Sequence, residues 1–316
     1  MIPQAPHTRW NAKWIWLAGD GTERNVYCYF RRVFDLDSDG AGHRVLVSAD
    51  TRYQLFINGR FVERGVPQSQ PYYQYYDRHE VEEYLQSGTN VIAVIVNHVG
   101  NLADTRGGLL LELRDSTNRA VLCTDDTWRV ARAAAWQQNT YAVRSNSTTP
   151  YQERFDARKV PAGWREIGFD DSNWAYTSVV TGRGSDRPPA AGPWSKLVPR
   201  DIPFMTNDPV LPERIECVEE CVDLAARSHR DNLAPELSVV GQPITYSRFD
   251  DADNLCTEEG TTVVQCSLNH LDLDFDGIYT PAVVLDFGRV ITARPRLHLE
   301  GPAGAMVDIG YAERLI

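Results

Sequence analysis

The stretch Ala49–Gly65, ADTRYQLFINGRFVERG, constrains this chain more than any other. Tyr53, Leu55 and Ile57 alternate with Arg52, Gln54 and Phe56, the period-two pattern of a strand with one buried face. Asn58-Gly59 follows. Both residues accept positive φ, so the pair specifies a two-residue type I′ turn, and Arg60–Glu63 returns as the partner strand. Two strands alone are not stable in water. The hairpin therefore demands more strands beside it and a second apolar layer against Tyr53, Leu55 and Ile57.

The rest of the chain supplies them. Cys28–Phe34 and Arg44–Ala49 read as strands, and the aromatic run WNAKWIW at 10–16 suits an edge strand or a plug on a sandwich. Val91–Val96, VIAVIV, is short, β-branched and bordered by Gly and Asn, which favours a fully buried strand over a helix. Leu109–Leu113, Val121–Cys123 and Thr127–Val130 add further strands, whereas Ala131–Ala135 suits a loop or a short helix. Turn signals recur roughly every 8–12 residues, the interval of sandwiches and barrels. Gly163–Trp174, GWREIGFDDSNW, is turn-rich with three large aromatics and is expected to fold back across this first domain.

Prolines at 188, 189, 193, 199, 203, 209 and 212 mark a change of composition. Proline fixes φ and donates no ladder hydrogen bond, so residues 181–211 are expected to be a linker or strap outside any core. Beyond it, Ile215, Val218, Val222 and Ala225 would form a helical stripe, yet the stretch lacks strong caps and its assignment stays open. Val239–Ser247, Thr261–Ser267, Ala282–Phe287, Pro295–Leu299 and Ala305–Tyr311 read as strands. The expected architecture is all-β, with one sandwich over 1–180 and a second over 212–316.

Charge and composition narrow the function. A net charge of −11 argues against nucleic-acid or anionic-membrane partners, which need a basic surface. The N-terminus lacks the basic head and apolar run of a secretory signal, and no stretch has the length of a transmembrane span, so a cytoplasmic location is expected. The six cysteines form no CxxC pair, which speaks against zinc. Asn146-Ser-Thr fits a glycosylation acceptor, and the acidic run Leu271–Asp276 lacks the glycine and terminal glutamate of an EF-hand loop. No cofactor or metal is expected.

An ordered series of motifs resembles one family. They are WIW at 14–16, the hairpin at 49–65, YYQYYDRHEVEEYLQSGTNVIAVIVNHVG at 72–100 and RGGLLLEL at 106–113. ERFDARKVPAGWREIGFDDSNW at 153–174, PRDIPFM at 199–205 and VLDFGRVITARPRLHLEGPAGAMVDIGYAERL at 284–315 continue it. The series resembles the N-terminal, non-catalytic part of the α-L-rhamnosidases of glycoside hydrolase family 78. The resemblance implies galactose-binding-like jelly rolls followed, in the family, by an (α/α)6 barrel that holds the acid and base. On that reading the barrel is absent here, the second sandwich is C-terminally truncated, and no catalytic carboxylate can be assigned. A free-standing carbohydrate-binding or interaction protein is the alternative.

The residues themselves point away from catalysis. Glycoside hydrolysis needs two carboxylates facing one bond. Asp170 and Asp171 are adjacent and would point to opposite faces of a strand. An aspartate capping a turn, with Phe169 and Trp174 packed inward, explains them better. Glu313 is read as structural. Gly107-Gly108 lacks the spacing of a phosphate loop. Carbohydrate binding is the more plausible activity, because sugars stack on aromatic faces and bond planar polar side chains. The candidate contacts for a rhamnose-containing glycan are Tyr72, Tyr73 and Tyr75, with Asn97, His98 and Arg106 as polar neighbours.

Overall fold

A computed structural model describes residues 9–312, apart from 20, 68, 71, 101–104, 142–150, 182–191, 223–241, 244–247 and 266–278. Asn146, the acidic run 271–276 and Glu313 lie outside the described residues. The chain divides into two compact units, Met1–Pro203 and Phe204–Ile316.

In the first unit the strands are β1 (Ile15–Trp16), β2 (Val26–Leu36), β3 (Arg44–Asp50), β4 (Arg52–Ile57), β5 (Arg60–Gly65), β6 (Gln74–Glu80) and β7 (Gly88–His98). They continue as β8 (Gly108–Arg114), β9 (Ala120–Cys123), β10 (Arg129–Arg132), β11 (Ala175–Tyr176), β12 (Ser178–Val179) and β13 (Leu197–Pro199). One sheet runs β12-β1-β8-β3-β6-β13 with β9 beside β8, and the other runs β11-β10-β2-β7-β4-β5. Side chains of both, among them Val45, Val47 and Leu111 from one and Leu55, Ile92 and Val94 from the other, close a single core. This is the β-sandwich that the opening hairpin required.

The hairpin forms as its turn chemistry dictates. Asn58 and Gly59 have φ of 50° and 80°, both in the left-handed region of a type I′ turn. The Asn58 amide donates to the Tyr84 carbonyl at 2.9 Å and to Asn90 Oδ1 at 2.8 Å, while its oxygen accepts from Val91 N at 2.8 Å. One turn residue thus ties β4–β5, at the sheet edge, to β7. Tyr53, Leu55 and Ile57 face the core. Phe56 faces the opposite side of the sheet, where Trp164 and Trp174 cover Tyr29, Ala93 and Ile95.

That cover is the expected fold-back of residues 163–174. Arg31 holds it down from within the sheet. Its fully buried guanidinium pairs with Asp171 Oδ2 at 2.9 Å and donates to the carbonyls of Trp164, Glu166 and Phe169. Asp170 accepts from Ser172 N at 2.9 Å, capping a turn. Both aspartates are therefore structural. Ala131–Ala135 is resolved as the end of β10 followed by a turn.

The proline-rich segment corrects the sequence reading. Trp194, inside the stretch expected to be a linker, is fully buried and stacks on Trp14 at 3.9 Å. Three residues later β13 pairs in parallel with β6. Proline content sets the backbone of this strap, but one indole is enough to anchor it in the core. Gly107 and Gly108 are explained by the same packing. A Cβ on Gly107 would lie 2.1 Å from Trp16, and one on Gly108 would lie 2.4 Å from Trp194.

The second unit contains β14 (Arg214–Val222), β15 (Gln242–Pro243), β16 (Phe249–Asp250), β17 (Val263–Val264) and β18 (Tyr279–Asp286). A three-stranded sheet runs β15-β14-β18, and β16 pairs with β17. The open assignment at 213–230 resolves to a strand over Arg214–Val222, because β18 pairs with it along its length. Cross-strand pairing outweighs the weak helical spacing. Pro295–Leu299 and Ala305–Tyr311, expected to be strands, join no ladder among the described residues. An alternating pattern makes a strand only where a ladder partner is present.

Candidate functional site

Every candidate contact lies at one end of the first sandwich. There β3 stops at Asp50, β6 starts at Gln74, β7 stops at His98, β8 starts at Gly108 and β13 starts at Leu197. A buried knot fixes this end. Asp50 Oδ1 meets His98 Nδ1 at 3.1 Å, and its Oδ2 accepts from the Trp194 indole at 3.1 Å. The strap, β3 and β7 are joined through one carboxylate.

Above the knot stands an aromatic rim. Tyr73 N donates to the Gln70 carbonyl at 2.8 Å, which closes a tight turn, and Gln74 then starts β6 by donating to Lys196 O at 2.9 Å. Tyr72 and Tyr73 are 66% and 41% exposed. Tyr75 is half-buried, edge-on to Tyr73 at 6.0 Å. Desolvation and the Asp201 carboxylate, to which its hydroxyl is bonded, raise the Tyr75 phenol. The exposed Lys196 ammonium lies 4.7 Å above the Tyr73 ring. Tyr76, by contrast, faces the core, edge-on to Trp10.

The three polar candidates divide. His98 is fully buried against Asp50 and supports the rim from beneath rather than lining a groove. Asn97 is adjacent on the same strand and so points to the opposite face, toward the outside of the second sheet. Arg106 is half-buried and donates to the Thr181 carbonyl at 3.4 Å. The sequence reading missed Lys196 and Asp201, because the proline-rich strap was set aside as a linker. The tryptophan inside that strap was the available signal that it packs onto a core.

A second knot lies below β6. The Tyr53 hydroxyl donates to Asp77 Oδ2 at 2.6 Å and sits 2.7 Å from His79 Nε2, while Arg200 pairs with Asp77 Oδ1 at 2.9 Å. Burial raises both Tyr53 and Asp77, and burial followed by the Arg200 charge lowers His79 to about 4. The buried carboxylates Asp50, Asp77 and Glu112 are all taken up by protein partners. Among the described residues no group of three or more His, Cys, Asp and Glu side chains could hold a metal, and no helix is long and apolar enough to cross a membrane.

Comparison with known proteins matches this region. The family described as "Alpha-L-rhamnosidase N-terminal domain" aligns with residues 41–193. An α-L-rhamnosidase of Formosa agariphila is 29% identical over 191 residues, covering 52% of this chain and 20% of that protein. One of Streptomyces avermitilis is 25% identical over 204 residues, covering 63% of this chain and 16% of its own length. The crystal structure of a GH78 family rhamnosidase from Bacillus sp. GL1 superposes with a TM-score of 0.59 at 33% identity, over 70% of this chain and 24% of that one. The chain thus spans a fifth or less of the two curated relatives. Residues 41–193 thus match the N-terminal domain of the α-L-rhamnosidases, and the chain carries an N-terminal region of glycoside hydrolase family 78 type.

Proposed function

We propose that this chain is an accessory, glycan-contacting scaffold of an α-L-rhamnosidase and performs no hydrolysis itself. The observation that carries the reading is the exposed pair Tyr72 and Tyr73 at the rim, beside Lys196 and above a sandwich whose buried carboxylates Asp50, Asp77 and Glu112 are engaged. Exposed ring faces suit the C–H surface of a deoxy sugar, and the charge at Lys196 suits its hydroxyls. Tyr75 and Arg106 flank the rim. His98 acts only through Asp50. Hydrolysis of terminal L-rhamnose belongs, on this reading, to parts of the relatives that this chain does not match.

Titration of the isotopically labelled chain with L-rhamnose, followed by NMR, tests the site. Weak, saturable shifts at Tyr72, Tyr73 and Tyr75 that vanish in Tyr73→Ala support it, and no perturbation of these signals removes the rim. Assay on a chromogenic rhamnoside tests the absence of catalysis. Turnover abolished by one carboxylate substitution would overturn the accessory role.

A further inference from the structure

Asparagine followed by glycine occurs once in this chain, at Asn58-Gly59 in the β4–β5 turn. The pair that specifies the hairpin also has a chemistry of its own. A glycine nitrogen has no Cβ beside it to hinder approach, so it can attack the side-chain carbonyl carbon of the asparagine before it. The bond from the Gly59 nitrogen to Asn58 Cγ forms and the Cγ–Nδ2 bond breaks. The Gly59 nitrogen loses its proton, and ammonia carries one away. Water then opens the five-membered imide. It gives aspartate where the new bond is cut and isoaspartate where the original main-chain bond is cut. Nothing is oxidised or reduced, and water is the only co-reactant.

The folded hairpin holds Asn58 out of this reaction. Its side chain is turned toward β7 and tied there by three hydrogen bonds, to the Tyr84 carbonyl, Asn90 Oδ1 and Val91 N. Its main-chain N–H donates to the Val91 carbonyl at 3.0 Å. Next to it, Arg60 pairs with Glu83 at 2.8 Å and lies 4.5 Å over the Tyr84 ring. Freeing Cγ to meet the Gly59 nitrogen breaks all three side-chain bonds, and that happens when the hairpin parts from β7.

The product does not fit the place the asparagine leaves. An aspartate has no N–H to give to Tyr84 or Asn90. The fully buried Asn90 is not free to turn its amide round. Its nitrogen donates to the Gln86 and Gly88 carbonyls at 2.7 and 2.9 Å, and its oxygen accepts from Gln86 N at 3.0 Å. The new charge also arises one residue from Gly59, where the Glu166 carboxylate lies 2.5 Å from the position of an added Cβ. Isoaspartate lengthens the main chain of a two-residue turn by one methylene, which a type I′ turn does not accommodate.

We propose that Asn58 is a deamidation site gated by folding: shut while the hairpin is bonded to β7, open when it parts, and unable to rejoin the sheet once reacted. The site stands apart from the tyrosine rim. The intact chain is aged in buffer made with heavy-oxygen water, with and without denaturant, and the tryptic peptide of residues 53–60 is read by mass spectrometry. In denaturant, Asn58 should lose its amide nitrogen and gain a solvent oxygen ahead of every other asparagine. In the folded chain the reaction should be at least about tenfold slower, the ratio set by an opening free energy of about 1.4 kcal/mol. Asn58→Asp should lower the folded-to-unfolded ratio of the first unit about 5–30-fold. A chain aged in denaturant to partial conversion and then refolded gives a second reading, with the reacted forms enriched in the unfolded fraction. Equal rates with and without denaturant, an unreacted Asn58 in the unfolded chain, or reacted chains that refold as well as unreacted ones would overturn the proposal.

Discussion

In the first unit Trp14, Trp128 and Trp194 are wholly enclosed between two sheets. In the second, Leu299, Met306 and Tyr311 lie on the surface, each with more than half of its side chain in water. Both units are written in strand-forming sequence, and the difference is in what the strands face. The first unit has two sheets whose apolar sides meet. The second has, among its described residues, a three-stranded sheet and a two-stranded ladder, followed by a chain from Phe287 onward that joins neither. Period-two alternation specifies a face, and only a second layer turns that face into a core. All eight tryptophans fall between residues 10 and 194, so indole fluorescence reports on the first unit alone.

That separation makes the contrast breakable by experiment. The largest expected effect is Trp194→Ala. Removing a buried indole from the strap should cost about 3–5 kcal/mol in the fluorescence-detected unfolding of the first unit. A linker residue would cost under about 0.5 kcal/mol, and that outcome would detach the strap from the core. Gly108→Ala comes next. The added Cβ would meet Trp194 at 2.4 Å and Trp14 at 2.9 Å, so overpacking of about 1–3 kcal/mol is expected in the same denaturant titration.

A smaller effect is set by pH. His79 stays neutral in the folded protein down to about 4, whereas the unfolded chain binds its proton near the ordinary histidine value of 6.5. Its contribution is therefore complete above about pH 6.5 and declines as pH falls toward 4, by at most about 1.4 kcal/mol per unit. Asp77 is raised by burial and acts in the opposite direction, so the His79 part must be isolated. His79→Gln should flatten the acid limb of the stability profile relative to the parent. Parallel profiles would mean that His79 does not titrate differently on folding.

The smallest change is expected from Leu299→Ser. A solvated side chain contributes little, so stability should move by less than about 0.5 kcal/mol. Concentration-dependent association, measured by sedimentation, should fall because an exposed apolar stretch has been interrupted. A large loss of stability instead would show that Leu299 is packed.

Much of the first unit was legible in the sequence because its signals are local. Asn58-Gly59 states its turn in two residues, and the alternation around it states which side chains face inward. The fold-back at 163–174 was legible from aromatics set among turn residues. The role of Trp194 was not, since the seven surrounding prolines between 188 and 212 describe the backbone and say nothing of one indole's destination. The opposite orientations of Asn97 and His98 follow from strand alternation alone, yet which of them faces the core is fixed by Asp50, far away in sequence. The outer face of the second sheet was hidden for the same reason. Arg52 and Asn97 lie opposite one another only through strand register.

The central claim is that this chain presents glycan contacts on a rigid sandwich. One experiment tests it most directly: NMR titration of the intact chain with L-rhamnose, reading the signals of Tyr72, Tyr73 and Tyr75 against those of Trp136 and Asn97. The account predicts weak, saturable shifts confined to the three tyrosines and lost in Tyr73→Ala. Unmoved tyrosine signals at saturating sugar, or shifts that persist unchanged in Tyr73→Ala, would contradict it.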